Sequence, residues 1–260
     1  MTSQGVKPLN GRVALVTGCS RRVGIGFAIA DRLAALGADL LVHAYRPYDD
    51  EMEWGADPSG LAPLLADLRR HGGRVELSEE DLSLPDAPER VVGAAAVLGH
   101  LDIVVANHTY STMGALGDLT ADEIDRHLAV NVRATMLLVQ AFAAQHGGRA
   151  GGRVVLMISG QQLTPMPAEL AYAASKGALI PLAFSLSSHL APSGVTVNAV
   201  NPGATDTGYA SPELYEAVVA MEPRGRWGRP EDAARLVGWL CTDEAEWVTG
   251  QIINSNGGGP

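Results

Sequence analysis

The feature that most constrains this sequence is an alternation. Short runs rich in Val, Ile, Leu and Ala recur at residues 13–17, 40–45, 74–77, 103–106, 154–158 and 195–200, with a brief last one at 251–254. Between them lie longer stretches whose apolar residues return every three or four positions, near 24–36, 61–71, 86–98, 121–146, 171–191 and 230–241. Near-continuous apolar strands are the kind covered on both faces, and strand–helix alternation is the pattern of a parallel sheet wrapped by helices. The expected fold class is therefore α/β, doubly wound, with a central parallel sheet of about seven strands and helices on both faces. No repeat, linker or composition break divides the chain, so residues 1–260 read as a single domain.

Two segments interrupt the alternation. Residues 47–60, polar and broken by Pro and Gly around Trp54, read as a long surface loop. Residues 203–229 hold a short helical pattern at 212–221 followed by Pro223, Gly225 and Gly228. A substrate lid at about 204–229 and a plain insertion both fit that pattern.

Val13 to Thr17 runs directly into Gly18-Cys19-Ser20-Arg21-Arg22-Val23-Gly24-Ile25-Gly26, after which an Ala-rich helix begins. Glycines at a strand-to-helix turn let a backbone approach a diphosphate, and the helix N-terminus offers unpaired N–H groups and a positive dipole end. A tight turn with no ligand is the plainer alternative, because Ile29 stands where the dinucleotide fingerprint has its last small residue. If a dinucleotide binds, its ribose meets the end of the second strand. That strand closes on Ala44-Tyr45-Arg46, with the acidic Asp39 at its other end. Arg46, with Arg21 and Arg22 in the turn, favours a 2′-phosphate and hence NADP(H) over NAD(H).

Tyr172 and Lys176 stand four apart in a helical segment, so their side chains share a face one turn apart. With only two lysines in the chain, Lys7 and Lys176, the pairing is informative. A tyrosine is a poor proton donor–acceptor at neutral pH unless its phenolate is stabilised, and an adjacent ammonium does that. Ser159 follows the fifth strand, at the edge where such sheets bind ligands. Taken alone it reads as a loop or capping serine; beside the Tyr/Lys pair it reads as a hydroxyl aimed into the same crevice.

With these residues in place the chain resembles the short-chain dehydrogenases/reductases, Rossmann-fold enzymes. The resemblance rests on Thr17-Gly18 with Gly24-Ile25-Gly26, Asp81-Leu82, Asn131 between Val130 and Val132, Ser159, Tyr172 to Gly177, Asn201-Pro202-Gly203 and Thr249-Gly250-Gln251. Gly160-Gln161 after Ser159 and the Trp-containing segment after the second strand are similar to a 3-oxoacyl-acyl-carrier-protein-reductase-like bacterial subgroup.

The resemblance implies one NAD(P)-binding Rossmann domain and four catalytic residues. Tyr172 would exchange a proton with the substrate oxygen, Ser159 would hold the carbonyl, Lys176 would lower the tyrosine pKa and bind the nicotinamide ribose, and Asn131 would support a proton-relaying water. It implies cofactor contacts from Gly18, Ser20, Arg21, Arg22, Gly24, Ile25, Gly26 and Arg46. Asp81 and Leu82 would lie at the adenine, Asn107 and His108 along the groove, and Pro202, Gly203, Thr205 and Thr207 at the nicotinamide amide. It also implies a homotetramer built on helices 121–146 and 171–191, whose apolar residues occupy more than one face.

This sequence departs from the family pattern in three places. Five residues separate Gly18 from Gly24, two more than usual. His108 stands in the usually small Asn-Asn-Ala-Gly segment, as a spacer or hydrogen-bond partner. Pro181 lies inside the helix of Tyr172.

The expected function is NADP(H)-dependent hydride transfer between the nicotinamide and a ketone or secondary alcohol. The alternatives are an NAD-dependent secondary-alcohol dehydrogenase and a non-catalytic dinucleotide-binding regulator or scaffold. Tyr110, Met113, Gln161, Leu163, Met166, Tyr209 and Trp227 suggest a mixed apolar pocket for a neutral or weakly polar small molecule. A net charge of -10 argues against nucleic acid or an anionic membrane as a partner. Two cysteines, Cys19 and Cys241, build neither a disulfide framework nor a metal site. Residues 1–8 lack an apolar leader, and no run is read as a membrane span of about 18 residues, so the expected setting is cytoplasmic.

Overall fold

A computed structural model describes residues 7–259, so most of the segment read for a leader lies outside the described residues. Seven strands form one parallel sheet: β1 (Val13–Val16), β2 (Asp39–Ala44), β3 (Val75–Glu79), β4 (Leu101–Ala106), β5 (Gly152–Met157), β6 (Val195–Asn201) and β7 (Ile252–Asn254). Their spatial order is β3-β2-β1-β4-β5-β6-β7. Every pairing is parallel. The order reverses between β1 and β4, which opens a crevice at the carboxyl ends of those two strands. β1, β4, β5 and β6 are buried along their whole length, as their largely apolar runs require.

Two apolar clusters separate the layers. On one face Ile29, Leu33, Leu40, Leu64 and Val237 join α1 (Ile25–Ala35), α3 (Leu61–Arg69) and α9 (Pro230–Leu240) to the sheet. On the other, Leu41, Val91, Leu138, Phe142 and Leu179 bind α4 (Ala87–Ala94), α6 (Ala134–His146) and α7 (Leu170–Leu190). Cys19 and Cys241 are free and buried, and burial pushes both thiols up, Cys241 to about 12.

The structure corrects three expectations. Residues 47–60 are not a plain surface loop: Arg46–Glu51 forms a short helix, α2, with Pro47 in its first turn and Asp49 buried. The helix read at 121–146 is not uniform, because α5 (Ala121–His127) passes into a π-helical turn, Leu128–Arg133, before α6 begins. Ala121–His146 and Leu170–Ser193 also reach membrane-spanning length and apolarity, with 39% and 33% of their best windows buried, so the expectation of no such run was too strong. Each packs one side against the sheet and leaves apolar residues such as Met136 and Phe184 exposed on the other. α7 itself runs unbroken through Pro181, whose carbonyl accepts the Ser185 hydroxyl at 3.0 Å.

Candidate active site

The loop after β5 and the first turns of α7 bring three of the expected residues together. Lys176 is 3% exposed and its Nζ donates to the Met157 carbonyl at 3.0 Å, which pins α7 against the end of β5. Ser159, two residues beyond Met157, lies beside the Tyr172 phenol and lowers its pKa. Burial pushes that phenol up to about 12 against the lowering effect of Ser159, and the Glu169 carboxylate adds to the rise. Burial also brings Lys176 down to about 8. The expected lowering of Tyr172 by Lys176 is therefore not what the site shows. Both groups sit where water is excluded, and loss of solvation sets both directions.

Asn131 lies in the π-helical turn, a backbone form frequent at functional sites. Its Oδ1 accepts the Tyr110 N–H at 2.7 Å and the Thr109 hydroxyl at 3.3 Å, and its Nδ2 donates to the Tyr110 carbonyl at 2.9 Å and Ser175 Oγ at 2.8 Å. These four bonds use the amide fully and tie the loop after β4 to α7. Support of a water would fall to the Asn131 carbonyl, which already accepts Thr135 Oγ1 at 2.8 Å.

At the other end of the crevice, Gly18 turns the chain at φ 72°. A Cβ on Gly26 would lie 2.2 Å from the Gly18 carbonyl, so only glycine lets α1 start against that turn. Gly24 caps α1 with no side-chain bond, which leaves the N–H groups of its first turn open to an anion. Asn107 Nδ2 donates to the carbonyls of Thr17 and Gly18 at 3.1 and 3.2 Å. His108 is a buried strut: Nε2 meets the Val130 carbonyl at 3.0 Å and Nδ1 the Thr17 hydroxyl at 2.8 Å. Burial takes its pKa down to about 3, so the ring is neutral.

The three arginines have separate partners. Arg22 donates through Nε and Nη2 to Asp57 at 3.2 Å, through its backbone N–H to the same carboxylate at 3.0 Å, and pairs with Asp67 at 3.7 Å. Burial alone would raise the Asp57 pKa, but these bonds and the Ser59 N–H hold it below the ordinary value. Arg21 lies 5.9 Å over the Trp54 ring. Arg46 has a loose pair with Asp50 at 3.8 Å, and its Nε is buried without a partner.

Residues 46–60 form a strap across the crevice. Ser20 lies beside Asp49 and lowers its pKa, and Tyr48 Oη donates to the Ser111 carbonyl at 3.1 Å while accepting the Ser111 N–H at 3.2 Å. The strap thus touches the loops after both β1 and β4. Trp54 meets Tyr209 edge-on at 6.4 Å, and Tyr209 meets Trp227 at 5.9 Å, so the strap also reaches the segment after β6. Sequence reading missed this role; Pro47 at a helix start followed by an acidic first turn was the available signal.

The remaining expected contacts spread around the same rim. Asp81 accepts from Tyr45 Oη at 3.2 Å and from the Ser83 N–H at 2.8 Å, beside buried Leu82. Gly203 turns at φ 69° after Pro202, and buried Thr205 donates back to both their carbonyls at 3.2–3.3 Å, with half-buried Thr207 two residues on. Of the residues suggested for a pocket, Tyr110 and Trp227 are buried, whereas Met113, Leu163 and Tyr209 are exposed.

Known proteins resemble this chain over nearly its whole length. The family model described as enoyl-(acyl carrier protein) reductase matches residues 18–259. An uncharacterized oxidoreductase of Bacillus subtilis, YjdA, is 40% identical over 250 residues, 95% of this chain and 96% of that protein. A short-chain dehydrogenase from Burkholderia cenocepacia solved with NADP superposes with a TM-score of 0.86 at 36% identity, over 96% of this chain and 98% of that one. The angucycline ketoreductase LanV with bound NADP gives 0.85 at 33% identity, over 96% of each chain. With this sheet, this Ser/Tyr/Lys grouping and such similarity along nearly its whole length, the chain belongs to the short-chain dehydrogenase/reductase family and is an oxidoreductase.

Proposed function

We propose that the protein is an NADP(H)-dependent carbonyl reductase whose reverse reaction oxidises a secondary alcohol. The observation that carries this reading is the joining of Ser159, Tyr172 and Lys176 at the crevice, with an arginine rather than a carboxylate at the end of β2. The dinucleotide fits the residues present. The uncapped first turn of α1 suits its diphosphate, the unpartnered Arg46 Nε suits a 2′-phosphate, and the Asp81 carboxylate suits the adenine amino group. Bound NADPH supplies the hydride to the carbonyl carbon. Ser159 holds the carbonyl oxygen, Tyr172 gives it the phenolic proton as the carbon is reduced, and the Lys176 ammonium balances the phenolate left behind.

LanV and the Burkholderia enzyme, both solved with NADP, support the cofactor choice by similarity. One feature favours NAD instead: Asp49, buried beside the glycine turn, has an unpartnered Oδ2 that suits a ribose hydroxyl. Fluorescence titration separates the two readings. Arg46→Ala weakens NADPH and spares NADH if Arg46 reads the phosphate, whereas Asp49→Asn weakens NADH if the carboxylate reads the ribose.

Residues 204–229 serve as the substrate lid within one domain, joined to the strap through Tyr209. A homotetramer covers the apolar residues that α6 and α7 leave exposed, Met136 and Phe184 among them. Sedimentation velocity tests it.

A further inference from the structure

Among the described residues, five buried side-chain atoms lack a hydrogen-bond partner: Arg46 Nε, Asp49 Oδ2, His146 Nδ1 and both amide atoms of Gln161. His146 ends α6 at the amino-terminal end of β4 and β5, opposite the crevice, whereas the other three residues stand around the crevice. Arg46 and Asp49 belong to its phosphate end. Gln161 belongs to its chemical end and is the extreme case, because neither its donor nor its acceptor is used. A buried amide in that condition forfeits its hydration with no return, and such groups in a native protein call for an explanation.

The position of Gln161 supplies one. It is two residues beyond Ser159, in a turn closed by the Leu163 and Thr164 N–H groups donating to the Gly160 carbonyl at 2.8 and 3.0 Å. Its Cγ lies 3.9 Å from where a Cβ would stand on Gly177, the residue after Lys176. The stem is therefore lodged between the loop that carries Ser159 and the helix that carries Tyr172. The nearby amides are satisfied: Gln162 donates to Asn254 at 3.3 Å, and Asn201 donates to the same oxygen at 3.1 Å. The unmet bonding capacity of this wall is concentrated in Gln161.

We infer that Gln161 is a specificity-determining residue that binds a second oxygen on the substrate. The preferred substrates are then ketones with a hydroxyl or carbonyl group within a few bonds of the reacting carbonyl, the hydroxyl using both halves of the amide and the carbonyl using Nε2. The inference rests on the carbonyl-reductase reading and narrows it to a substrate class. A pocket built to bond an oxygen discriminates strongly against the analogue that lacks it, because the amide is then left unpaired.

The test uses the full chain with NADPH and a matched pair: a cyclohexanedione whose carbonyls flank a dimethylated carbon, and the corresponding dimethylcyclohexanone. The expected result is a higher kcat/KM for the diketone, with that preference reduced about 10–100-fold in Gln161→Leu and the melting temperature unchanged or raised. A preference that survives in Gln161→Leu overturns the inference. So does an equal loss on both ketones with a lowered melting temperature, which marks a packing residue. If the wild type binds NADPH yet reduces neither these ketones nor a broader ketone panel, the carbonyl-reductase reading beneath the inference fails instead.

Discussion

The two ends of the crevice are built on different principles. At the chemical end, Ser159, Tyr172, Lys176 and Asn131 are set by a strand end, an α-helix and a π-helical turn, and bonds between these elements, Lys176 Nζ to Met157 and Asn131 Nδ2 to Ser175, hold them together. At the phosphate end, Ser20, Arg21 and Arg22 lie on a turn whose shape depends on a strap 25 or more residues further along the chain. One end is rigid through regular structure; the other holds its form through side-chain clasps between loops.

The largest effect expected from breaking this contrast is at Tyr172. Tyr172→Phe removes the proton donor and should lower kcat for ketone reduction by about 10²–10⁴-fold, with NADPH affinity unchanged by titration. Next comes pH. Lys176 loses its proton above about pH 8 while Tyr172 keeps its own up to about 12. Reduction needs the ammonium to balance the phenolate formed, so its rate should fall roughly tenfold per pH unit above 8. Oxidation of the alcohol, which needs the phenolate at the start, should rise with pH instead. A pH profile of both directions with one alcohol–ketone pair checks the signs.

Arg46→Ala acts at the other end and should weaken NADPH about tenfold while leaving kcat at saturating cofactor near wild type. The smallest effect is expected from Asp57→Ala, which frees Arg22 and loosens the strap. A drop in melting temperature of about 2–4 °C, with kcat retained, would show that the clasp supports the turn without entering the chemistry.

The same contrast explains what could be read from the sequence. The strands were legible because buried parallel strands are mostly apolar, and Tyr172 with Lys176 because helical spacing turns a sequence interval into a distance. Ser159 gained its meaning from that pair. The strap was not legible, since Asp57 meets Arg22 by a tertiary contact that no local period encodes. The π-helical turn was hidden for a related reason: the apolar period of 121–146 continues across it, although its backbone carries an extra residue. The placement of Arg46 just beyond β2 was readable, whereas the partners of Arg21 and Arg22 were not.

The clasp between Arg22 and Asp57 has an evolutionary consequence. The lengthened glycine turn exposes a backbone N–H and a guanidinium that Asp57 satisfies together, so neither the turn nor the strap is complete alone. The two are one transferable cassette. A relative that shortens the turn to the usual family length loses the reason to keep an aspartate at this place in the strap, and a chimera that exchanges one segment without the other inherits a broken joint.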